Sequence, residues 1–282
     1  MTHSDFKYWL QEIGLKPGQH VLMHASYRRV RDVFPNLTIE ALLATLCQIV
    51  TAEGSLIMPT FSYCFKKSDG SHEVYDPLTS PSKVGSISEV FRKLPEVVRT
   101  ASATHSFGLW GQITAFINAD NQPASPLGAG SVLDWLAHVP ESYILMLGTD
   151  FSALSFGHYL EIKAALPWLE TSPWEYLKVL PIGVSVSGEQ VLHQVPGCAK
   201  SFVNFERYLC VHQFISYHFR GSLRLAFLPV ATVLKVGEAY FRRHPDQLLC
   251  PSMTCIACDT RRRMYLKSSQ NSSQINEKVE SC

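Results

Sequence analysis

The stretch QHVLMH, residues 19–24, is followed after a helix-forming segment by a second short apolar stretch, SLIMP, residues 55–59. Both stretches are nearly continuously apolar, which is typical of strands that are buried on both faces of a sheet. Between them, residues 38–50 predict a helix with Thr38 as its N-cap and Glu40 in its first turn. This order of strand, helix and strand predicts an α/β fold in which helices cover both faces of the sheet.

A third apolar strand, SYILML, occupies residues 142–147, and a helix is predicted at 153–166. Later in the chain, residues 177–240 contain two strand-like segments, YLKVLPIGVSV and LRLAFLPVATVLKV. We therefore predict a central, mostly parallel or mixed sheet covered by helices, with a smaller strand-rich C-terminal part. In this interpretation residues 1–265 form a single domain, and the polar, aperiodic residues 266–282 form a disordered tail.

Composition limits the classes of protein to which the chain can belong. Hydrophobic residues make up 46% of the 282 residues and charged residues 17%, as in a well-packed enzyme. The formal net charge is +1, so no overall field attracts nucleic acid or an anionic membrane. No apolar run approaches the roughly 20 residues that span a bilayer, and the polar N-terminus does not resemble a signal peptide. We expect a cytoplasmic protein without nucleic-acid or membrane partners, and a homodimer is compatible with the sequence.

The segment His158-Tyr-Leu-Glu161 follows the third strand and its Gly148-Thr-Asp turn. At positions i and i+3 of a helix, the two side chains lie on one face and can meet. A carboxylate that is bonded to one imidazole nitrogen fixes the tautomer and leaves the other nitrogen basic. From spacing alone the alternative, an ordinary surface His–Glu pair, is favoured, and the position after a sheet strand strengthens the case for a general base at His158.

Two strand ends carry candidate ligand-binding residues. His24-Ala-Ser-Tyr-Arg28-Arg29 ends the first strand and combines a hydroxyl, backbone N–H groups and two arginines, which predicts a phosphate or pyrophosphate cradle. The alternative is an exposed basic turn. Met58-Pro-Thr60 ends the second strand, where the Thr60 hydroxyl can point into a cleft. The sequence has no Gly-x-Gly-x-x-Gly or Walker motif, so a dinucleotide site and nucleotide hydrolysis are unsupported.

Three of the eight cysteines form a C-x4-C-x2-C run near the end of the sequence: Cys250, Cys255 and Cys258. Thiolates at such spacing can bind zinc or an iron–sulfur cluster, and the candidates for a fourth ligand are Cys198, Cys210 and His244. Because no fourth ligand lies at local spacing, free thiols are the preferred interpretation and no metal is predicted. The Arg261-Arg-Arg263 run that follows is interpreted as solvated or as contacting phosphate.

Seven motifs follow one another along the chain: HASYRR (24–29), MPTFSY (58–63), YDPLTSPSKVG (75–85), EVFR (89–92), THSFGLWG (104–111), LMLGTD (145–150) and HYLE (158–161). Together they resemble the aminoglycoside 3-N-acetyltransferase family over roughly residues 5–165, with weaker similarity to about residue 245. No single motif is specific, whereas seven in this order are.

The resemblance implies an α/β fold, acetyl-CoA as co-substrate and an amino sugar as acceptor, with residues 1–265 as the catalytic domain. It implies that His158 and Glu161 are the catalytic pair. Thr60, or a backbone N–H near His105, is the candidate donor to the developing oxyanion. The residues implied to contact acetyl-CoA lie at the two strand ends and in the SPSKVG segment: His24, Ser26, Tyr27, Arg28, Met58, Pro59, Val84 and Gly85.

The chain departs from the family pattern in the run Arg99-Thr-Ala-Ser-Ala-Thr-His105, which lacks the usual first histidine–proline pair. Its near-neutral charge also favours an acceptor other than a polycationic antibiotic, such as an amino sugar of a nucleotide-sugar or surface-glycan pathway. A catalytically silent CoA- or sugar-binding protein of the same fold is the alternative function. A metal-dependent hydrolase that uses the histidines is a third and less favoured interpretation.

Overall fold

The computed structural model describes residues 1–169, 174–195 and 197–263. The helices are α1 His3–Glu12, α2 Tyr27–Val33, α3 Ile39–Val50, α4 Ser86–Phe91, α5 Val132–His138, α6 Ser155–Lys163, α7 Trp174–Leu177, α8 Phe202–Val211 and α9 Val230–Arg243. The strands are β1 His20–Ala25, β2 Ser55–Pro59, β3 Phe65–Lys67, β4 Val98–Arg99, β5 Phe107–Gly111, β6 Ser142–Leu147, β7 Val179–Ser185, β8 Gly188–Val191, β9 Tyr217–Arg220 and β10 Leu223–Pro229. Residues 256–263 are also helical. Among the described residues, none of the helices has the length and apolar character needed to cross a membrane.

The strands form two sheets. The larger one has seven strands in the order β4-β5-β2-β1-β6-β10-β9. At its centre β1 is parallel to both β2 and β6, whereas the outer neighbours pair in antiparallel fashion. The smaller antiparallel sheet has the order β3-β7-β8. The predicted mixed sheet with a smaller strand-rich part is thus confirmed, although β9 and β10 extend the large sheet instead of joining the small one.

Helices bury both faces of the large sheet, as the apolar strands predict. Val21 and Met23 of β1 belong to one hydrophobic cluster, which also contains buried residues of α1, α3 and α4. Leu22, between them, belongs to a second cluster, which contains buried residues of α5, α6, α8 and α9. Successive side chains of a strand point to opposite faces, so a strand covered on both sides must be apolar throughout.

Several predicted elements are confirmed, and one is wrong in part. The strands at 55–59 and 142–147 have the predicted bounds, and the Thr38 hydroxyl accepts a capping hydrogen bond from the Ala41 N–H (3.1 Å). The segment LRLAFLPVATVLKV is a strand only as far as Pro229. From Val230 onward its buried residues recur at helical spacing and form α9. The predicted tail, residues 266–282, lies outside the described residues.

Helix α2, Tyr27–Val33, was not predicted from the sequence. Its single buried residue, Val30, provides too weak a periodic signal for a helix to be predicted. The helix begins directly after β1, at the carboxyl end of this central strand.

Helix α6 packs closely against its neighbours because a glycine lies at each of two contact points. A Cβ atom on Gly157 of α6 would lie 2.5 Å from the Phe202 ring of α8. A Cβ atom on Gly237 of α9 would lie 2.5 Å from the Leu160 side chain of α6. Helix α6 is therefore held in position by backbone approaches that larger residues would prevent.

We expect the substitution Gly157→Ala to lower the free energy of unfolding. The added methyl group meets a rigid, fully buried ring, and overpacking of a core costs about 1–3 kcal/mol. The gain of up to about 1 kcal/mol in helix propensity offsets only part of this cost. Urea unfolding of the variant measures the difference, with the exposed Lys235→Ala on α9 as a control that should change stability by less than about 0.5 kcal/mol. An unfolding free energy equal to or above that of the wild type would show that α8 can move away from α6 without penalty.

Candidate active site

The candidate site lies where the parallel strands β1, β2 and β6 end. In α/β sheets the loops beyond the carboxyl ends of parallel strands form the usual crevice for ligands. Here β1 leads to Ser26, β2 leads to Thr60, and β6 leads through the Gly148 turn to α6. The motifs identified in the sequence therefore converge on one edge of the sheet.

The predicted pair is formed on α6. His158 Nδ1 lies 2.7 Å from Glu161 Oε2, with the two residues at i and i+3 of the same helix. The Glu161 side chain is fully buried, and the His158 side chain retains 11% of its exposure. Phe202 packs edge-on against the imidazole, with ring centroids 5.1 Å apart. With Nδ1 engaged by the carboxylate, Nε2 is the nitrogen available to a ligand.

Two further residues contact the second carboxylate oxygen of Glu161. Trp168 Nε1 donates to Oε1 at 3.4 Å, and Arg261 Nη1 lies 3.6 Å from the same atom. Arg261 is fully buried and also donates to the Cys198 carbonyl at 2.9 Å. The sequence analysis missed this contact and placed Arg261 in a solvated or phosphate-contacting run, which is wrong for a buried side chain. Only its position among apolar and cysteine residues hinted at burial.

A cavity of about 510 Å³ opens beside His158. Four of the eight residues predicted to contact acetyl-CoA line it: His24, Met58, Pro59 and Val84. Ser88 of α4 and Ser152 and Ser155 near the start of α6 add hydroxyl groups to its wall. The structure thus brings the ends of β1 and β2 together with His158 around one space.

The other four predicted residues line an adjoining groove of about 470 Å³: Ser26, Tyr27, Arg28 and Gly85. Ala25 lines both spaces, so the groove continues the first cavity outward. Arg31, one helical turn beyond Arg28 on α2, also lines the groove, whereas Arg29 lines a different cavity beside Arg224. The Tyr27 hydroxyl is engaged, because it donates to the Leu37 carbonyl at 3.0 Å.

His24 contributes to the cavity as a neutral group. Burial lowers the pKa of His24 to about 3, and its Nε2 lies 3.3 Å from Ser155 Oγ. An imidazole that stays uncharged at neutral pH cannot attract phosphate by charge. Its position in the wall of the larger cavity fits a neutral part of a ligand better.

The structure does not bring Thr60 to the wall of the cavities described above. Thr60 is fully buried, and its hydroxyl donates to the Ser106 carbonyl at 3.1 Å. The guanidinium of Arg99 donates from Nε to the Thr60 hydroxyl at 3.2 Å and from Nη2 to the Thr60 carbonyl. A direct oxyanion contact by Thr60 does not fit this position. Its hydroxyl instead helps to fix Arg99, which also donates to the Ser80 carbonyl in the long loop of residues 68–85, between β3 and α4.

A second arginine fixes the same loop. Arg92 donates two hydrogen bonds to the Glu89 carboxylate at 2.7 Å each and one to the Leu78 carbonyl at 2.9 Å. Burial opposes ionisation of Glu89, but the bonds from Arg92, Lys93 and the Ser82 N–H outweigh it and lower its pKa to about 2. Arg92 is therefore engaged within the protein and holds the segment that carries Val84 and Gly85.

A second cavity, of about 470 Å³, is also lined by His158. It shares Phe61, Tyr63, His158 and Gly197 with the first cavity. The remaining described residues of its wall are mainly aromatic and aliphatic, and no carboxylate is among them. His105 belongs to this wall, 4.8 Å from the Phe61 ring, and burial lowers its pKa to about 3. His158 is thus exposed to two spaces with different linings.

Comparison with known proteins gives the sequence a context. A family model described as aminoglycoside 3-N-acetyltransferase matches residues 22–242. The chain is 32% identical over 174 residues to the SPbeta prophage-derived aminoglycoside N(3')-acetyltransferase-like protein YokD of Bacillus subtilis, covering 55% of this chain and 62% of that protein. It is also 32% identical over 163 residues to aminoglycoside N(3)-acetyltransferase IV of Salmonella, covering 56% of this chain and 58% of that protein. The matched regions thus span about three fifths of the length of these curated relatives.

Solved structures show the same fold at lower identity. The apoenzyme of aminoglycoside acetyltransferase AAC(3)-IVa superposes with a TM-score of 0.79 at 22% identity, covering 93% of this chain and 97% of the other. A structure described as AAC-IIIb binary with CoASH has a TM-score of 0.71 at 18% identity, covering 86% and 97%. Since the family model spans most of the described core, from β1 into α9, this chain belongs to the aminoglycoside 3-N-acetyltransferase family.

Proposed function

We propose that the chain is an acetyl-CoA-dependent N-acetyltransferase that modifies the amino group of an amino sugar. One observation carries this proposal: His158 lines two cavities at once. A base at the boundary between two spaces can act on an acceptor in one while the donor occupies the other. Family membership supports acetyl-CoA as the donor.

The first cavity and its groove suit acetyl-CoA. The groove offers the guanidinium groups of Arg28 and Arg31 at its outer end, where a pyrophosphate would be held. The inner cavity is lined by Met58, Pro59 and Val84 beside a few hydroxyl groups, and this lining suits the less polar pantetheine arm. When bound, acetyl-CoA supplies an activated acetyl thioester.

The residues of α6 account for the proton transfers. Nε2 of His158 takes the proton from the attacking amine, whose nitrogen forms the new bond to the acetyl carbon as the carbon–sulfur bond breaks. The imidazolium then returns its proton to the departing thiolate. Glu161 holds the Nδ1 proton and stabilises the cation, while Arg261 Nη1 lies 3.6 Å from the other carboxylate oxygen.

We expect His158→Ala and Glu161→Gln to lower kcat by at least about a hundredfold while CoA binding stays nearly unchanged. The reason is that both residues act on protons, whereas the residues that suit CoA lie in the groove and the cavity wall. Release of free CoA thiol measures turnover, and calorimetry measures CoA binding. The exposed His72→Ala is the control and should retain wild-type turnover.

Two other buried histidines beside the cavities should not shape the pH dependence of this reaction. Burial lowers the pKa of His24 and of His105 to about 3, so neither gains a proton in the range where an enzyme of this kind is assayed. The pH profile of kcat in His105→Asn should therefore keep the shape of the wild-type profile. Wild-type turnover in His158→Ala would contradict the assignment, and CoA binding without turnover in the wild type would favour a silent binding protein.

We expect Arg28→Ala and Arg31→Ala each to weaken CoA binding about ten- to hundredfold while leaving pantetheine binding unchanged. A charge-assisted hydrogen bond to phosphate contributes about 1.5–3 kcal/mol, and pantetheine lacks the pyrophosphate. Arg29→Ala is a matched control on the same helix, because Arg29 faces another cavity. Equal losses for CoA and pantetheine, or a loss in Arg29→Ala as large as in Arg28→Ala, would place the pyrophosphate elsewhere.

The residues that line the second cavity indicate how many charged amino groups the acceptor carries. A polycationic aminoglycoside loses the hydration of several ammonium groups on binding, and carboxylates normally offset that cost. The described residues of this wall supply aromatic rings and no carboxylate, and the net charge of the chain is only +1. We infer that the preferred acceptor carries a single amino group, as in a nucleotide-linked or glycan amino sugar. Arg261 cannot recognise phosphates of such a substrate because it is buried.

We expect kcat/KM to be higher for a mono-amino sugar than for gentamicin-like or kanamycin-like compounds. The comparison uses a nucleotide-linked amino sugar, free glucosamine and both antibiotics, with thiol release as the assay. Glucosamine is the control that separates recognition of the sugar from recognition of the nucleotide. A higher kcat/KM for either antibiotic would show that the acceptor cavity recruits carboxylates from residues beyond its described wall.

A further inference from the structure

Four cysteines that are distant in sequence meet beside the second cavity. Cys198 lies between β8 and α8, Cys250 follows α9, and Cys255 and Cys258 flank the start of the helical residues 256–263. Their four Sγ atoms all lie within 4.8 Å of one another. The sequence analysis had considered Cys198 as a fourth ligand but preferred free thiols, because it is 52 positions from Cys250. In the folded protein the two cysteines are neighbours despite their distance in sequence.

The distances in this cluster match ligands of one metal ion. Cys198 Sγ and Cys250 Sγ lie 3.8 Å apart, far beyond the length of about 2.05 Å of a disulfide bond. Four sulfur atoms bound at about 2.3 Å in a tetrahedron lie about 3.8 Å from one another. An iron–sulfur cluster spreads its cysteines over several iron atoms and therefore needs wider spacing. The cluster is compact enough for a single tetrahedral ion.

We propose that Cys198, Cys250, Cys255 and Cys258 bind one structural zinc ion. Four thiolates in a closed tetrahedral set are typical of structural zinc, because no position is left for a water or substrate. The cysteines are buried or half-buried, so the ion is shielded from solvent.

The protein contacts around the cluster fit this assignment. Arg261 Nη1 donates to the Cys198 carbonyl at 2.9 Å, and Arg262 Nη2 donates to the Cys250 carbonyl at 2.6 Å. Positive side chains close to four thiolates reduce the excess negative charge of a zinc tetrathiolate. Both arginines lie on the same helical segment as Cys258, so ligand binding and these hydrogen bonds support each other.

The ion would connect residues 250–263 to the rest of the described chain beside the His158–Glu161 pair. Cys198 and Ala257 line the second cavity, and Arg261 contacts Glu161. Zinc would therefore hold residues 250–263 in the position that keeps Arg261 against the buried carboxylate. This effect on the dyad rests on the proposed function, whereas zinc binding itself does not.

The test measures the metal content of the full chain purified from zinc-supplemented medium. We expect about one zinc per chain, and a loss of at least about tenfold in Cys255→Ser. Cys210→Ser is the matched control, since Cys210 is exposed and lies outside the cluster, and it should keep its zinc. If Cys255→Ser does not fold, Cys255→His, which keeps a zinc ligand, should restore folding and the metal.

A second measurement uses only the wild-type protein. Titration with a mercurial reagent should release the zinc as the thiolates react, and trypsin should then cleave at Arg261 to Arg263 faster than in the zinc-loaded protein. Cobalt in place of zinc should give the visible bands of a tetrahedral thiolate complex.

Three results would each overturn the assignment. They are metal-free protein that does not retain added zinc, a Cys198–Cys250 disulfide detected by mass spectrometry, and one equivalent of iron in the purified protein. These readouts do not depend on acetyl transfer.

Discussion

The carboxylate of Glu161 has no solvent exposure, and much of the site is arranged around that fact. A buried charge is tolerated only when hydrogen bonds and an opposite charge replace its lost hydration. His158, Trp168 and Arg261 supply these contacts from three different segments. Each of those segments must in turn be held in place. The close packing of α6, and the contacts of residues 256–263, follow from this requirement.

The two cavities that His158 lines have different walls. The loops that end β1 and β2 line a cavity of mixed polarity and a groove with two arginines, whereas the described wall of the second cavity is mainly aromatic and aliphatic. Arg92 and Arg99 both donate hydrogen bonds to backbone carbonyls of the long loop and so hold it in place. A loop without regular structure can keep a defined shape when buried guanidinium groups satisfy its carbonyl oxygens.

Much of the fold could be predicted because its central strands are apolar on both faces, and this pattern has few alternatives. The i and i+3 spacing of His158 and Glu161 likewise made their contact predictable. The short helix α2 was missed because it buries only Val30, and α9 was mistaken for strand because of its many valines. Arg261 and the grouping of Cys198 with the later cysteines depend on contacts between distant segments. Local periodicity carries no information about such contacts.

Position along the chain gives the contact between Arg261 and Glu161 a consequence for biosynthesis. A nascent chain leaves the ribosomal exit tunnel with its N-terminus first. The elements β1, β2, β6 and α6 therefore emerge well before residue 261. Until that residue leaves the exit tunnel, Glu161 lacks one of its charged partners and α6 faces an incomplete layer of helices. The contacts of Glu161 therefore cannot be completed co-translationally on the sheet alone. Their completion waits for nearly the whole described chain.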